Sequence, residues 1–484
     1  MGNPLSTASM LSTSLAFFFT FILYASLART TQALSVRSSV LSNSSKSLIV
    51  ETTSGKARGF LDNITTSISL KKCFGIRYAQ DTSGHNRWRP PQPYRYNDTI
   101  FNATAFGPAC LQGRTDGGSG TSVQSEDCLR INVIAPVGAK ELPIYLYSYG
   151  GGFDSGASSD PKIDGSFMAA KGIVFASYNY RLSLWAWPHA TEIAQANQTQ
   201  NFGLLDTRAA IRWIQANADV FGGDPAKITL GGESVGAEMT NFYLSAWPDD
   251  PIIRGAIMQS SDTSQPQWVL GNQLEAISKN QSCPTGNGQL DCLRGKDGFA
   301  LQSILLETGN QFQPVIDNIT VFKNYVKQTR ENRIANVPLL IGTNKVFLSR
   351  DIIRDAAWLV RERCFYVHSF VSCSKSNNFN FPFANTTDVL KLYPTSSTLY
   401  PSVYNATSAM WRDAHMLCLA HNLGKWRTEA LGLPVWRYRF DLVANNLNSL
   451  GASIGTFHGE DIQFVMGCGV LDTVIGTQPT VIPN

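Results

Sequence analysis

The pentapeptide Gly232-Glu233-Ser234-Val235-Gly236 matches the pattern G-x-S-x-G, a sharp turn between a strand and a helix that presents the serine oxygen. Residues 227–230 before it predict a short strand, and residues 237–245 after it predict the start of a helix. Glycine is required on both sides because a side chain there would collide with the returning helix. Strand, turn and helix therefore occur in the order typical of a serine nucleophile for acyl transfer.

Such a serine needs a base and hydrogen-bond donors for the oxyanion that forms during attack. The segment YSYGGGF, residues 147–153, follows a predicted strand at 142–146, and its glycines let backbone N–H groups approach a developing negative charge. His458 lies far downstream in GTFHGEDI, residues 455–462, as expected for the base in this order of motifs. The remaining histidines are expected to be surface or packing residues: His85, His189, His368, His415 and His421.

Further ordered segments extend the pattern well beyond the serine turn. They are FGIRYA at 74–79, RWRPP at 87–91, EDCLRINV at 126–133, NYRLS at 179–183, NFGLLD at 201–206, FGGDP at 221–225 and GAIMQS at 255–260. Together, over about residues 47–467, they resemble the type B carboxylesterases, the α/β-hydrolase family that includes fungal lipases, cholinesterases and secreted fungal carboxylesterases. The resemblance implies a central, mostly parallel sheet flanked by helices.

The resemblance also implies a role for each matching residue. Ser234 would be the nucleophile of a serine esterase and His458 its general base. The backbone N–H groups of Gly151, Gly152 and Val235 would form the oxyanion hole. Val235 replaces the alanine usual in the family, and its β-branched side chain is expected to narrow the acyl pocket without removing the backbone donor.

Cysteines and buried charges carry structural expectations that rest on the same resemblance. Cys110 is expected to form a disulfide bond with Cys128, and Cys283 with Cys292. Two buried ion pairs are expected, Arg87 with Glu126 and Arg181 with Asp206.

The acidic member of the triad is the point where the resemblance fails. The family places this residue in a stretch of the form G-x-N-x-D-E-G, whereas the predicted strand 337–341 continues here into GTNKVF at 342–347. Asp351 is the next carboxylate, but its position predicts the first turn of a helix rather than a substitute acid. The triad acid is therefore unknown. Loss of the acid costs on the order of 10⁴ in turnover in serine proteases.

A second departure is the C-terminus, because the family usually continues with closing helices where this chain ends at Asn484. A gene model or splice form lacking coding segments would explain both departures, and so would an inactive paralogue. Two functions consequently stay open. The first is a carboxylic-ester hydrolase, and the alternative is a catalytically impaired, cholinesterase-like binding or adhesion protein.

The N-terminal segment and the composition predict a secreted glycoprotein. The apolar run at 14–25 reads as a signal peptide covering residues 1–33, followed by a single domain at 34–484. The balance of 40 basic and 36 acidic residues implies no nucleic-acid partner. N-glycosylation sequons occur at Asn43, Asn63, Asn97, Asn102, Asn197, Asn280, Asn318, Asn385 and Asn405.

The segment between Cys110 and Cys128 bears on the expected substrate. It contains no tryptophan against which a quaternary ammonium group could rest, and it is too short and polar for an amphipathic lid. Soluble or modestly sized esters are therefore expected, with no cofactor, no metal and no membrane contact after signal cleavage. Trp185 and Trp187 are expected either to line an acyl or alcohol pocket or to pack in the core.

Overall fold

The computed structural model describes residues 48–96, 99–114, 123–261, 273–345, 391–394, 397–401, 403–442 and 456–467. The chain divides into two compact units, Met1–Val50 and Glu51–Asn484, and only residues 48–50 of the first are described. The expected signal peptide and Asp351 lie outside the described residues, as do the sequons at Asn43, Asn97 and Asn385.

The strands that position the site belong to one large mixed sheet. The strands in chain order are β1 Ile49–Thr52, β2 Gly55–Arg58, β3 Phe60–Asp62, β4 Leu70–Arg77, β5 Phe101–Asn102, β6 Ala109–Cys110, β7 Gln124–Ser125, β8 Arg130–Pro136, β9 Leu142–Ser148, β10 Val174–Tyr178, β11 Gly223–Glu233, β12 Gly255–Gln259, β13 Leu339–Asn344 and β14 Val435–Phe440. Nine of these strands form the large sheet among the described residues, in the order β14-β13-β12-β11-β9-β10-β8-β4-β3. In this order, each neighbouring pair from β14 to β10 is parallel, and this part of the sheet includes β9. The pairs β10–β8, β8–β4 and β4–β3 are antiparallel.

Helices lie between these strands and along the sheet. In chain order they are α1 Ser166–Ala170, α2 Ser183–Ala186, α3 Thr191–Gln195, α4 Phe202–Ala216, α5 Val235–Ala246, α6 Gln273–Asn280, α7 Gln289–Arg294, α8 Gly298–Thr308, α9 Tyr325–Arg330, α10 Val403–Arg412, α11 Cys418–Leu431 and α12 Asp461–Met466. Helices α4 and α5 pack against β11, and α1 packs against β8 and β10. A mostly parallel sheet flanked by helices confirms the expected fold class.

The central strands are apolar on both faces because helices cover both sides of the sheet. All five residues of β10 are buried, as are the last five of β9. This pattern produces continuous apolar runs rather than alternation. The predicted strands at 142–146, 227–230 and 337–341 correspond to β9, β11 and β13, each of which extends further toward the site than its pattern indicated.

Buried charges and disulfides hold the connecting segments to the sheet. The guanidinium of Arg181 donates to Asp206 over 2.7 and 2.8 Å, and both side chains are almost fully buried. Arg87 contacts Glu126 in the same bidentate way, with two distances of 2.6 Å. Among the described residues, disulfides join Cys110 to Cys128 and Cys283 to Cys292, the two pairs that the family resemblance implied. Within the described ranges, no helix is both long and apolar enough to cross a bilayer.

We expect Arg181→Met to lower the free energy of unfolding by about 3–5 kcal/mol, because it leaves the Asp206 carboxylate buried without its cation. Chemical denaturation measures the loss. The control is Lys425→Met, which removes an exposed i,i+4 contact with Glu429 and should cost only about 0.3–0.5 kcal/mol. Equal losses in the two variants would contradict a structural role for the buried pair.

Candidate active site

Ser234 occupies the turn between β11, which ends at Glu233, and α5, which begins at Val235. Its backbone lies at φ 57° and ψ −130°, a conformation that L-residues rarely adopt. The Ser234 N–H donates to the Gln259 carbonyl at the end of β12 over 2.9 Å. A serine at the N-cap position normally accepts from the first turn of the helix, but the Ser234 side chain makes no such capping bond. The strained turn thus keeps the hydroxyl away from the role that this residue type usually has.

The glycines flanking the serine are required by a close approach of backbone to backbone. A Cβ atom on Gly232 or Gly236 would overlap the Ser148 carbonyl oxygen at the end of β9. The parallel pairing of β11 with β9 puts Gly232 opposite Ser148. The sequence therefore fits the turn only with glycine at these two positions.

The glycine-rich loop after β9 lies beside this turn. A Cβ atom on Gly150 would stand 2.9 Å from the Ser234 Cβ atom. The Gly151 carbonyl accepts from the N–H of Ser155 over 3.0 Å, and the Gly152 carbonyl accepts from the Gln313 side chain over 3.0 Å. These bonds fix the loop by its carbonyl oxygens. The oxyanion-hole role of Gly151, Gly152 and Val235 stays a prediction.

His458 returns to the serine turn from far along the chain. Its Nε2 atom lies 3.2 Å from Oε1 of Glu233, the residue immediately before Ser234. The side chains are 15% and 6% exposed, so the contact is largely shielded from water. Gly459 leaves room for it, because a Cβ atom there would stand 3.3 Å from the same carboxylate oxygen. Of the predicted site residues, His458 thus lies beside Glu233, the sequence neighbour of Ser234 that was not among the predictions.

Glu233 carries a buried carboxyl group whose environment disfavours its charge. Burial, followed by the nearby Asp461 carboxylate, raises the pKa of Glu233 well above its ordinary value, and Lys162 partly opposes the shift. The Tyr147 hydroxyl, on β9, also has a raised pKa because of burial and the adjacent Glu233 charge. Protons are therefore held tightly in this part of the site.

Asp461, at the start of α12, accepts hydrogen bonds from side chains of three neighbouring strands and is fully buried. Gln259 on β12 donates over 3.1 Å, Asn344 on β13 over 3.2 Å, and the Tyr438 hydroxyl on β14 over 2.8 Å. The Asn344 amide also donates over 2.6 Å to the carbonyl of Phe457, which precedes His458. One carboxylate thus ties the histidine turn to the strands beneath the serine.

Glu460 closes the turn that carries His458. Its carboxylate accepts from the Phe457 N–H over 3.1 Å, and its own N–H donates to the Phe457 carbonyl over 3.2 Å. Burial raises the pKa of Glu460 to about 7, while the bond from Phe457 opposes the shift. The turn is held at both ends by the same residue.

The other predicted residues lie elsewhere in the structure. His85 and His421 are exposed beside arginines, and His189 is buried with its Nε2 atom 2.8 Å from the Gln313 carbonyl oxygen. His368 and the His415 side chain fall outside the described residues. Trp185 and Trp187 are almost fully buried, which favours the core-packing alternative.

The polar groups that support the site were not predicted from the sequence. Gln259 and Asn344 each end an apolar strand, and Asp461 lies three positions after His458. A polar residue at the carboxyl end of a buried parallel strand was the available signal. Over the ranges that the structure covers, no cluster of His, Cys, Asp or Glu has the arrangement of a metal site.

Comparison with known proteins gives one family and several relatives. Residues 46–479 match the model of the carboxylesterase family. The chain is 31% identical to para-nitrobenzyl esterase from Bacillus subtilis over 436 residues, 87% of this chain and 83% of that protein. It is 27% identical to lipase 2 of Diutina rugosa over 468 residues, 84% and 83% of the two chains. It is 31% identical to secreted lipase 5 of Gibberella zeae over 345 residues, 62% and 64% of the two chains.

We expect Gly236→Ala to destabilise the protein by about 1–3 kcal/mol, because the new methyl group cannot fit against the Ser148 carbonyl without a backbone shift. Gly295→Ala is the matched control, since Gly295 has ordinary helical geometry and its nearest contact for a Cβ atom is 3.3 Å away. Urea denaturation should show a change within about 0.5 kcal/mol for the control. A neutral Gly236→Ala variant would contradict the close approach.

We expect the free energy of unfolding to fall, relative to Glu460→Gln, as the pH rises from about 4.5 toward about 7. The folded state binds the Glu460 proton more tightly than the unfolded chain, so this stabilisation is complete below the ordinary pKa of 4.5 and is lost as pH rises through 7. Glutamine does not titrate. Denaturation of both proteins across this pH range tests the difference, and a constant gap would show that Glu460 is not perturbed.

Proposed function

The chain belongs to the carboxylesterase family, and we propose that it hydrolyses carboxylic esters through an acyl intermediate on Ser234, with His458 as the base. The observation that carries the proposal is the contact between His458 and Glu233, because it brings an imidazole next to the residue that precedes the serine. The esterase and lipase names of its relatives support the same reaction class.

The reaction would proceed in two transfers. The Ser234 oxygen attacks the ester carbonyl carbon while its proton passes to His458, and the N–H groups of Gly151, Gly152 and Val235 stabilise the oxyanion. The carbon–oxygen bond to the alcohol then breaks, and His458 returns the proton to the departing alcohol. Water then attacks the acyl carbon while its proton passes to His458. His458 returns the proton to the Ser234 oxygen as the acyl–oxygen bond breaks, and the carboxylic acid is released. No cofactor takes part.

Small soluble esters are the proposed substrates, and the secretory pathway is the proposed route of the protein. The absence of tryptophan between Cys110 and Cys128 supports the first point. The second is supported by the two disulfides and by sequon asparagines with exposed side chains, namely Asn63, Asn102, Asn197, Asn280 and Asn318. The name of the Gibberella zeae relative, a secreted lipase, agrees with it.

We expect a fluorophosphonate probe to label the purified protein at Ser234, and intact mass to show one adduct. Ser234→Ala should abolish the label, and Ser303→Ala, which changes an exposed serine on α8, should leave it unchanged. The same preparations should hydrolyse p-nitrophenyl butyrate in parallel with labelling. If wild-type protein with a cooperative unfolding transition takes up no label, the hydrolase proposal fails and the binding-protein alternative is favoured.

A further inference from the structure

The family's acidic triad residue has no counterpart after Asn344, yet the histidine of this chain does have a carboxylate beside it. Glu233 Oε1 lies 3.2 Å from His458 Nε2, and both side chains are largely buried. The carboxylate belongs to the residue adjacent to the nucleophile, so the strained turn that positions Ser234 also positions Glu233. On the basis of the proposed function, we propose that Glu233 is the positioning residue that orients His458 and balances its positive charge, in place of the missing acid.

The geometry of the pocket supports this assignment. Glu233 fills a space that exists because two neighbours are glycines: a Cβ atom on Gly150 would stand 2.8 Å from Oε2, and one on Gly459 would stand 3.3 Å from Oε1. The carboxylate is therefore confined between the glycine-rich loop and the histidine turn. A side chain held on two sides loses little additional entropy when it orients an imidazole.

The chemistry requires Glu233 to be ionised while His458 accepts the serine proton. With the proton of neutral His458 on Nε2, the atom that lies 3.2 Å from Glu233 Oε1, the other ring nitrogen would take the proton from Ser234. The imidazolium then stands beside a negative charge, and the proton passes on to the departing alcohol while Glu233 keeps its protonation state. A protonated Glu233 would instead donate to Nε2 and compete with the catalytic tautomer.

The surroundings of Glu233 decide at which pH this occurs. Burial and the Asp461 carboxylate raise the pKa of Glu233, so the ionised state is reached only as pH rises. The active form should therefore dominate on the alkaline side. Within the described ranges, the titratable and charged groups that face Glu233 are His458 in the turn, Asp461 on α12, Tyr147 on β9, Tyr180 after β10, Tyr438 on β14 and Lys162 after β9.

The experiment compares Glu233→Gln with Asp351→Asn, which removes the next carboxylate in sequence after Asn344. With p-nitrophenyl butyrate, Glu233→Gln should lower kcat by about 10²–10⁴ with little change in KM, because charge balance matters in the transition state. The acid limb of the kcat profile of Glu233→Gln against pH should move to lower pH, because this variant lacks the carboxylate that stabilises the protonated imidazole. Asp351→Asn should leave kcat and the position of the acid limb unchanged. Glu233→Asp should retain part of kcat and have an acid limb between those of wild type and Glu233→Gln.

A second readout does not depend on turnover. In a Ser234→Ala background with isotope-labelled histidine, NMR should show the His458 resonance, identified with His458→Asn, titrating at lower pH when Glu233 is replaced by Gln. An unchanged His458 titration, or a loss of kcat in Asp351→Asn instead of Glu233→Gln, would overturn the inference. Failure of wild-type protein to react with any ester or probe would refute the hydrolase proposal alone, because the NMR comparison reports the Glu233–His458 pair in either case.

Discussion

The buried Asp461 carboxylate is the constraint on which the site depends. Three donors, one each from β12, β13 and β14, converge on it, and the same Asn344 amide that reaches Asp461 also donates to the carbonyl of Phe457 before His458. A buried carboxylate is stable only when its oxygens are hydrogen-bonded, so these strands cannot separate without exposing an uncompensated charge to an apolar interior. Gln259 extends the linkage to Ser234, because its backbone carbonyl accepts from the Ser234 N–H.

Steric exclusion complements this charge constraint on the opposite side of the serine. Gly232 and Gly236 bring β11 and α5 against the Ser148 carbonyl, while Gly150 brings the glycine-rich loop against Ser234 and Glu233. The unusual backbone of Ser234 is maintained by these contacts rather than by local preference. Hydrogen bonds through Asp461 and close contacts around the glycines therefore both define the position of Ser234.

Much of the fold follows from local sequence, whereas the supports of the site do not. The strands at 142–146 and 227–230 and the turn between β11 and α5 are predicted from residues close together in the chain, while the mostly parallel sheet is implied by the family resemblance. The Glu233–His458 contact and the bonds from Gln259 and Asn344 to Asp461 join residues more than a hundred positions apart, and no local pattern encodes such pairs. The resemblance predicts His458, but it gave no indication that Glu233, inside the serine motif itself, would lie beside the imidazole.

The order of strands in the sheet also has a consequence for synthesis of the chain. Strands β8 to β12 are made before β13, and β14 joins one side of the sheet afterwards, so the centre of the sheet can form while translation continues. Asp461 and His458 emerge later still. Until they do, Gln259 and Asn344 lack their common acceptor, and Glu233 lacks the imidazole that lies beside it. The nascent chain would therefore pass through most of its assembly with the turn at Ser234 only partly supported.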